Sequence, residues 1–247
     1  MKKILFLSLI TISILVTGCA NAGFKPTAKE NKTQKTERQG ENKSNNIESG
    51  KFQSPINIVS NSTEPMGDTG ALELNYNNSF VSIEDNGHTI EVKDQDGIAI
   101  INGRQFLLAQ FHFHAPSEHT VDGKRYEMEL HLVNKSSSGR LAVLGVFFTI
   151  GSENNAFQTI LDQIKAGEKV VLPSTTTINI QQLLPQEKGY YHYLGSLTTA
   201  PYTENVEWYV LRQPIEISQD QLKVFQKYYS DNYREVQPLY DRVILEK

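Results

Sequence analysis

The chain has 247 residues, of which 24 are basic and 28 acidic, for a net charge of −4. That balance carries no basic footprint for nucleic acid, and no internal repeat runs through the chain. A single cysteine excludes an intramolecular disulfide, so the core must hold together by burial alone.

The first residues read as an export signal. Met1-Lys2-Lys3 is basic, Ile4 to Val16 is apolar but too short to span a bilayer, and small residues follow. Val16-Thr17-Gly18-Cys19 resembles the bacterial lipobox, in which the cysteine receives a diacylglyceryl thioether and becomes the mature N-terminus. Residues 1–18 are expected to be a lipoprotein signal peptide and Cys19 the membrane anchor. The protein would then lie outside the cytoplasm, on the cell membrane or on the outer membrane of a host that has one. Residues 19–50 are rich in Lys, Glu, Asn, Gln, Thr and Ser, with Phe24 and Ile47 the only large apolar side chains. Such a stretch buries too little to offset its ordering entropy and should be a flexible tether, roughly 30 Å end to end. Its charges are mixed in sign, which argues against a polybasic lipid-binding arm.

Residues 51–247 have globular composition throughout and the length of a single domain. Short alternating runs come first: Leu72 to Leu74, Phe80 to Asp85, His88 to Lys93, Ile98 to Ile101, Gln105 to His114, Glu127 to Asn134 and Leu141 to Thr149. Asn86-Gly87, Asp96-Gly97, Asn102-Gly103 and Asp122-Gly123 punctuate them as turns, giving a meandering, mostly antiparallel sheet. The nearly unbroken apolar run Leu141 to Phe148 suits a strand buried on both faces. Phe157, Ile160, Leu161 and Ile164 fall at helical spacing, with Gly167 as a stop. Trp208 to Leu211 and Ile215 to Ile217 read as further strands, and Ser218 with Gln221 reads as a capping box opening a second helix. The fold class is β-rich α+β with small peripheral helices.

The chemistry concentrates in Gln110-Phe111-His112-Phe113-His114-Ala115-Pro116-Ser117-Glu118-His119 and Glu129-Leu130-His131-Leu132-Val133. Strand side chains alternate, so Gln110, His112 and His114 share one face, as do Glu129, His131 and Val133 on the next run. If the two runs pair, three imidazoles converge. Three neutral imidazoles with one open position make a catalytic rather than a structural zinc site. Gln110 and Glu129, each two residues before a histidine on the same face, are placed to accept an outer imidazole N–H and fix its tautomer. A chance His-x-His on a strand is the plainer alternative; the third histidine and the two partners weigh against it.

The stretch Gln110 to Val133 closely resembles the signature of the α-carbonic anhydrases, with the short His114-to-Glu118 connection of their bacterial form. Gln53-Ser54-Pro55-Ile56-Asn57-Ile58, Gly195-Ser196-Leu197-Thr198-Thr199, Trp208 to Pro214 and Asp231-Asn232-Tyr233-Arg234 match in order and spacing, so the resemblance covers 51–247. It implies a central, twisted, mainly antiparallel sheet of about ten strands with zinc at the base of a conical cleft. The activity implied is reversible hydration of CO2 to bicarbonate and a proton by a zinc-bound hydroxide. His112, His114 and His131 would be the ligands. Thr198 would accept a hydrogen bond from the hydroxide and donate its own proton to Glu118. Val133, Val143, Leu197 and Trp208 would wall a dry pocket for CO2, and Thr199 would contact bicarbonate. Asn232 would offer its backbone carbonyl to one ligand, His119 would buttress the core, and His88, after the Asn86-Gly87 turn, would shuttle the proton.

Three departures from the family pattern stand out. No Trp or Tyr precedes Tyr76, where the family has an aromatic segment whose Tyr joins the active-site water network. Tyr202 stands where many bacterial members have a disulfide cysteine, and Ala200-Pro201 replaces Pro-Pro. Two other classes of function compete: a binding module that has lost catalysis, and an unrelated zinc hydrolase or metal-scavenging lipoprotein.

Overall fold

In the computed structural model, the described residues are 50–247 apart from 68–69, 77, 94–96 and 165–171; the expected signal peptide, tether and Cys19 lie outside them. They form fourteen strands: β1 (Asn57–Ile58), β2 (Glu64–Pro65), β3 (Leu72–Asn75), β4 (Asn78–Asp85), β5 (Ile90–Lys93), β6 (Ile98–Ile101), β7 (Arg104–His114), β8 (Thr120–Val121), β9 (Met128–Lys135), β10 (Leu141–Ile150), β11 (Leu172–Asn179), β12 (Tyr190–Ser196), β13 (Glu204–Ile217) and β14 (Leu245–Glu246). Two α-helices accompany them, α1 (Asn155–Leu161) and α2 (Gln219–Tyr228). Twelve strands make one sheet ordered β11-β4-β5-β7-β9-β10-β13-β12-β14-β2, with β6 on the first half of β7 and β3 on β6. Most pairs are antiparallel, but β10 and β13 run parallel at the centre, and β1 and β8 form a separate parallel pair.

Local chemistry explains the turns. Asn102 (φ 50°) and Gly103 (φ 73°) join β6 to β7 with the two left-handed residues that a tight hairpin needs. Ser218 caps α2 through the expected box, its side chain accepting from Gln221 N–H while the Gln221 side chain accepts from Ser218 N–H. Helix α1 ends at Leu161, earlier than the apolar spacing to Ile164 suggested; Asn154 caps its start and Gly167 lies outside the described residues. The two short runs around Pro214 are one strand: between Leu211 and Ile215 the register on β10 shifts, so Pro214, which has no N–H to give, sits in the irregularity. Strands β11 and β12 had no clear sequence signal.

Strand β10 is buried on both faces, as its composition suggested. Ala142, Leu144, Val146 and Phe148 enter a core shared with Phe157 and Ile160 of α1 and Leu222 and Phe225 of α2. Val143 and Phe147 point the other way, into a second cluster with Trp208, Val210 and Tyr193. Strand β7 does something alternation alone does not reveal. Phe106 and Leu108 face the first core, and so do Phe111 and Phe113, three and five residues beyond Leu108. The parity change falls at Ala109, where β7 opposes β9 with an extra residue: Leu108 pairs with Asn134 and Gln110 with Val133. Such a bulge turns the following side chains over. It frees Gln110, His112 and His114 from the core face.

Candidate metal centre

His112 and His131 are directly opposed in the β7–β9 register, and His114 opposes Glu129. The three rings meet edge-on or tilted, with centroids 5.0 Å apart for His112 and His114, 5.3 Å for His112 and His131, and 4.7 Å for His114 and His131. One nitrogen from each lies within 4.8 Å of the others.

Two of the three outer nitrogens are tied. His112 Nδ1 is 2.8 Å from Gln110 Oε1, and His114 Nδ1 donates to the Asn232 carbonyl at 2.7 Å. His131 Nε2 lies 3.0 Å from Glu129 Oε1, close in distance but angled off the ring's N–H axis. That leaves His112 Nε2, His114 Nε2 and His131 Nδ1 directed at the common point. His114 Nε2 is buried with no hydrogen-bond partner. Burial, and the neighbouring His114 and His131, hold His112 well below the ordinary imidazole value; burial likewise lowers His114. Both are therefore neutral near pH 7, the state in which imidazole ligates a metal. At His131 burial pulls downward too, but adjacent Glu129 outweighs it and raises the value. Burial alone would raise Glu129; His119 and His131 together hold it well below the usual carboxylate range.

Glu129 is fixed from several sides. Its Oε2 accepts from His119 N–H at 2.8 Å and its Oε1 lies 2.7 Å from His119 Nδ1. His119 Nε2 in turn meets Tyr193 OH at 2.6 Å, and Tyr193 OH meets Ser54 Oγ at 2.7 Å. His119 is thus the buried buttress the resemblance implied. Gly145 on β10 faces His131, and a Cβ there would lie 2.9 Å from Glu129 Oε1. The glycine makes room for the carboxylate, which sequence reading did not reveal.

A cavity of about 790 Å³ opens above the histidines, lined by His112, His114, Glu118, Thr198 and Thr199 and, at its mouth, by His88, Tyr202 and Arg234 among others. Glu118 is buried; its Oε1 accepts from Arg234 N–H at 2.7 Å while Oε2 has no partner, 3.6 Å from His114 Nε2 and 3.8 Å from His131 Nδ1. Thr198 faces the same cavity, but the hydrogen bond expected between it and Glu118 is not formed. A smaller recess of about 140 Å³ adjoins, walled by Val133, Val143, Leu197 and Trp208, as expected, and also by Leu141, which the sequence did not single out. His88 is exposed on the turn between β4 and β5, where Asn86 Oδ1 accepts from the N–H of His88 and of Thr89, both at 3.0 Å. Asn232 Nδ2 donates to the His88 carbonyl at 3.0 Å. His192, without a role in the sequence reading, stacks on Tyr209.

A twisted sheet presenting three convergent imidazoles beside an apolar recess defines a protein with a three-histidine site able to hold a metal. A family model described as eukaryotic-type carbonic anhydrase matches residues 36–247. A carbonic anhydrase of Nostoc sp. is 40% identical over 203 residues, covering 80% of this chain and 76% of its own, and one of Klebsiella pneumoniae is 40% identical, covering 81% of each. The solved α-carbonic anhydrase of Thermovibrio ammonificans, in complex with the inhibitor sulfanilamide, superposes with a TM-score of 0.75 at 42% identity, covering 79% of this chain and 87% of its own. The chain belongs to the α-type carbonic anhydrase family, enzymes of CO2 hydration.

Proposed function

We propose that the chain hydrates CO2 reversibly to bicarbonate and a proton with zinc held by His112, His114 and His131, outside the cytoplasm and tethered through lipid on Cys19. The observation that carries the zinc reading is the set of three inward nitrogens, with His112 and His114 fixed at their other nitrogen by Gln110 and Asn232 and His131 backed at 3.0 Å by Glu129. An all-nitrogen, convergent donor set suits zinc. Zinc so held would supply a Lewis acid that brings the pKa of water to about 7, carbonic anhydrase itself being the standard case.

The chain's own residues supply the rest. Glu118 Oε2 is a buried acceptor without a donor, a costly state for an ionised carboxylate. The Thr198 hydroxyl is the donor we assign to it. With its single proton committed to Glu118, Thr198 would be left only as an acceptor, able to orient a water or hydroxide at the metal toward CO2. The recess of Val133, Leu141, Val143, Leu197 and Trp208 offers CO2 an apolar berth that excludes water. Thr199, exposed at the cavity edge, meets the bicarbonate. His88 takes the proton outward.

A stopped-flow CO2 hydration assay with metal analysis of the same sample tests this. Activity with about one zinc per chain, lost on chelation and restored by zinc, is expected; undiminished activity without metal would sink the reading. For the anchor, mass spectrometry of membrane-extracted protein should find a diacylglyceryl-modified peptide beginning at Cys19, and an unmodified Cys19 would refute it.

A further inference from the structure

The loop between β12 and β13 carries Thr198 and Thr199, and nothing regular supports it. Tyr202 within it adopts φ 60°, a left-handed conformation that a residue with a Cβ seldom takes without being held there. Two backbone hydrogen bonds close the loop, Leu197 N–H to the Thr203 carbonyl at 2.9 Å and Tyr202 N–H to the Thr199 carbonyl at 2.8 Å. The third restraint is aromatic. The Arg234 guanidinium lies over the Tyr202 ring, 3.8 Å from its centroid. That guanidinium is itself fixed, since Nη1 donates to Gln53 Oε1 at 2.9 Å and to the Ser54 carbonyl at 2.7 Å. Gln53 Nε2 closes the circuit by donating to the Tyr202 carbonyl at 3.3 Å. Arg234 also reaches the opposite side of the cavity, where its backbone N–H donates to Glu118 Oε1 at 2.7 Å.

One residue therefore grips the loop of Thr198 with its side chain and the carboxylate of Glu118 with its backbone. We propose that Tyr202 and Arg234 form a clamp that holds the loop of Thr198 in the cavity it shares with Glu118, Tyr202 being a positioning residue that acts through Thr198. The proposal rests on the function assigned above to Thr198 and Glu118. The aromatic face is the active element: a guanidinium over a ring is attracted to the ring's quadrupole, which an aliphatic side chain of similar bulk lacks.

Tyr202→Phe and Tyr202→Leu in the full-length protein separate ring from bulk. Tyr202→Phe should keep wild-type kcat and KM within about two-fold. Tyr202→Leu should lower kcat about five-fold, the worth of one such contact, with KM and zinc content unchanged. In a Thr198→Ala background Tyr202→Leu should cost nothing further, because its effect passes through that hydroxyl. A second readout does not depend on catalysis: in metal-free protein the amides of Leu197 and residue 202 should exchange about five-fold faster in Tyr202→Leu than in wild type or Tyr202→Phe. Equal exchange and equal kcat in all three proteins would overturn the clamp, as would full additivity with Thr198→Ala or a Tyr202→Phe as impaired as Tyr202→Leu. A wild type inactive toward CO2 would instead defeat the functional reading, with the exchange comparison still deciding the clamp.

Discussion

The cavity has two kinds of wall. Strand β7 presents Gln110, His112 and His114 to it, with Glu129 and His131 of β9 buried behind them, from hydrogen-bonded backbone whose register fixes which way every side chain points. The opposite wall comes from irregular backbone: the loop of Thr198, Thr199 and Tyr202, and the segment Asp231 to Arg234. On the strands a position is set by neighbours two residues away. On the loops it is set by partners far along the chain, as in Arg234 to Gln53 or Asn232 to His88. The strand wall should hold a metal whether or not the loops are in order; the loop wall should matter chiefly to what happens beside the metal.

The sharpest way to break this division is to attack the strand wall. His112→Ala should take zinc from about one per chain to none and abolish CO2 hydration, read by metal analysis and stopped-flow assay. Deletion of Ala109, by contrast, should spare the metal: Leu108 and Gln110 become neighbours opposite Asn134 and Val133, as they pair now, so Gln110, His112 and His114 keep their face and zinc stays near one per chain. Loss of zinc in the deletion variant would show that the bulge itself holds the ligands in place.

The loop wall should respond differently. Thr198→Ala and Glu118→Ala should each lower kcat about 10²-fold with zinc retained, the scale of a preorganised electrostatic contact. The double variant should be little worse than the poorer single one, because the two act as one unit. Loss of zinc in Thr198→Ala would erase the distinction between the walls.

The same distinction explains what the sequence could convey. His112, His114 and His131 were legible because alternation places same-face residues two apart, and Gln110 and Glu129 followed from the same rule. The buried character of β10 was legible because no polar residue interrupts Leu141 to Phe148. The bulge at Ala109 was not, because an extra residue leaves no compositional mark. Leu141 was missed because an aliphatic residue at a strand end looks like any other core position. Thr198, Glu118 and Asn232 came only through resemblance to a family, since no local rule relates Asn232 to a histidine 118 positions earlier. Gly145 is invisible until the neighbouring strand supplies Glu129.

Gly145 gives a milder test of the strand wall. A Cβ 2.9 Å from Glu129 Oε1 cannot be relieved by swinging the carboxylate away, because His119 holds both of its oxygens. Gly145→Ala should push Glu129 off His131 and weaken zinc affinity about tenfold, the lower end for losing a partner of a metal ligand. Competition against a chromophoric chelator would measure it. An unchanged affinity would mean that Glu129 does not steady His131.

The most conditional effect, seen only in dilute buffer, belongs to His88. A proton leaving a group of pKa about 7 for bulk water must form hydronium, a far stronger acid, and so climbs on the order of 12 kcal/mol, which limits release to ~10⁴ s⁻¹. Carbonic anhydrase turning over at ~10⁶ s⁻¹, the standard figure for its zinc hydroxide, must avoid that climb. An imidazole makes the transfer nearly level, because it is the side chain whose charge ordinarily changes between pH 5 and 8. His88 stands at the cavity mouth on a turn held by Asn86 from within and by Asn232 from across the cavity. His88→Ala should therefore slow turnover about tenfold in dilute buffer and hardly at all in concentrated buffer. The interconversion of CO2 and bicarbonate, followed by isotope exchange at chemical equilibrium, should be unaffected, and added imidazole should restore turnover. Asn232→Ala, which keeps the backbone carbonyl for His114 but frees the His88 turn, should show a weaker version of the same buffer dependence. If His88→Ala matched the wild type in dilute buffer, protons would leave by another route and the cavity mouth would contribute shape alone.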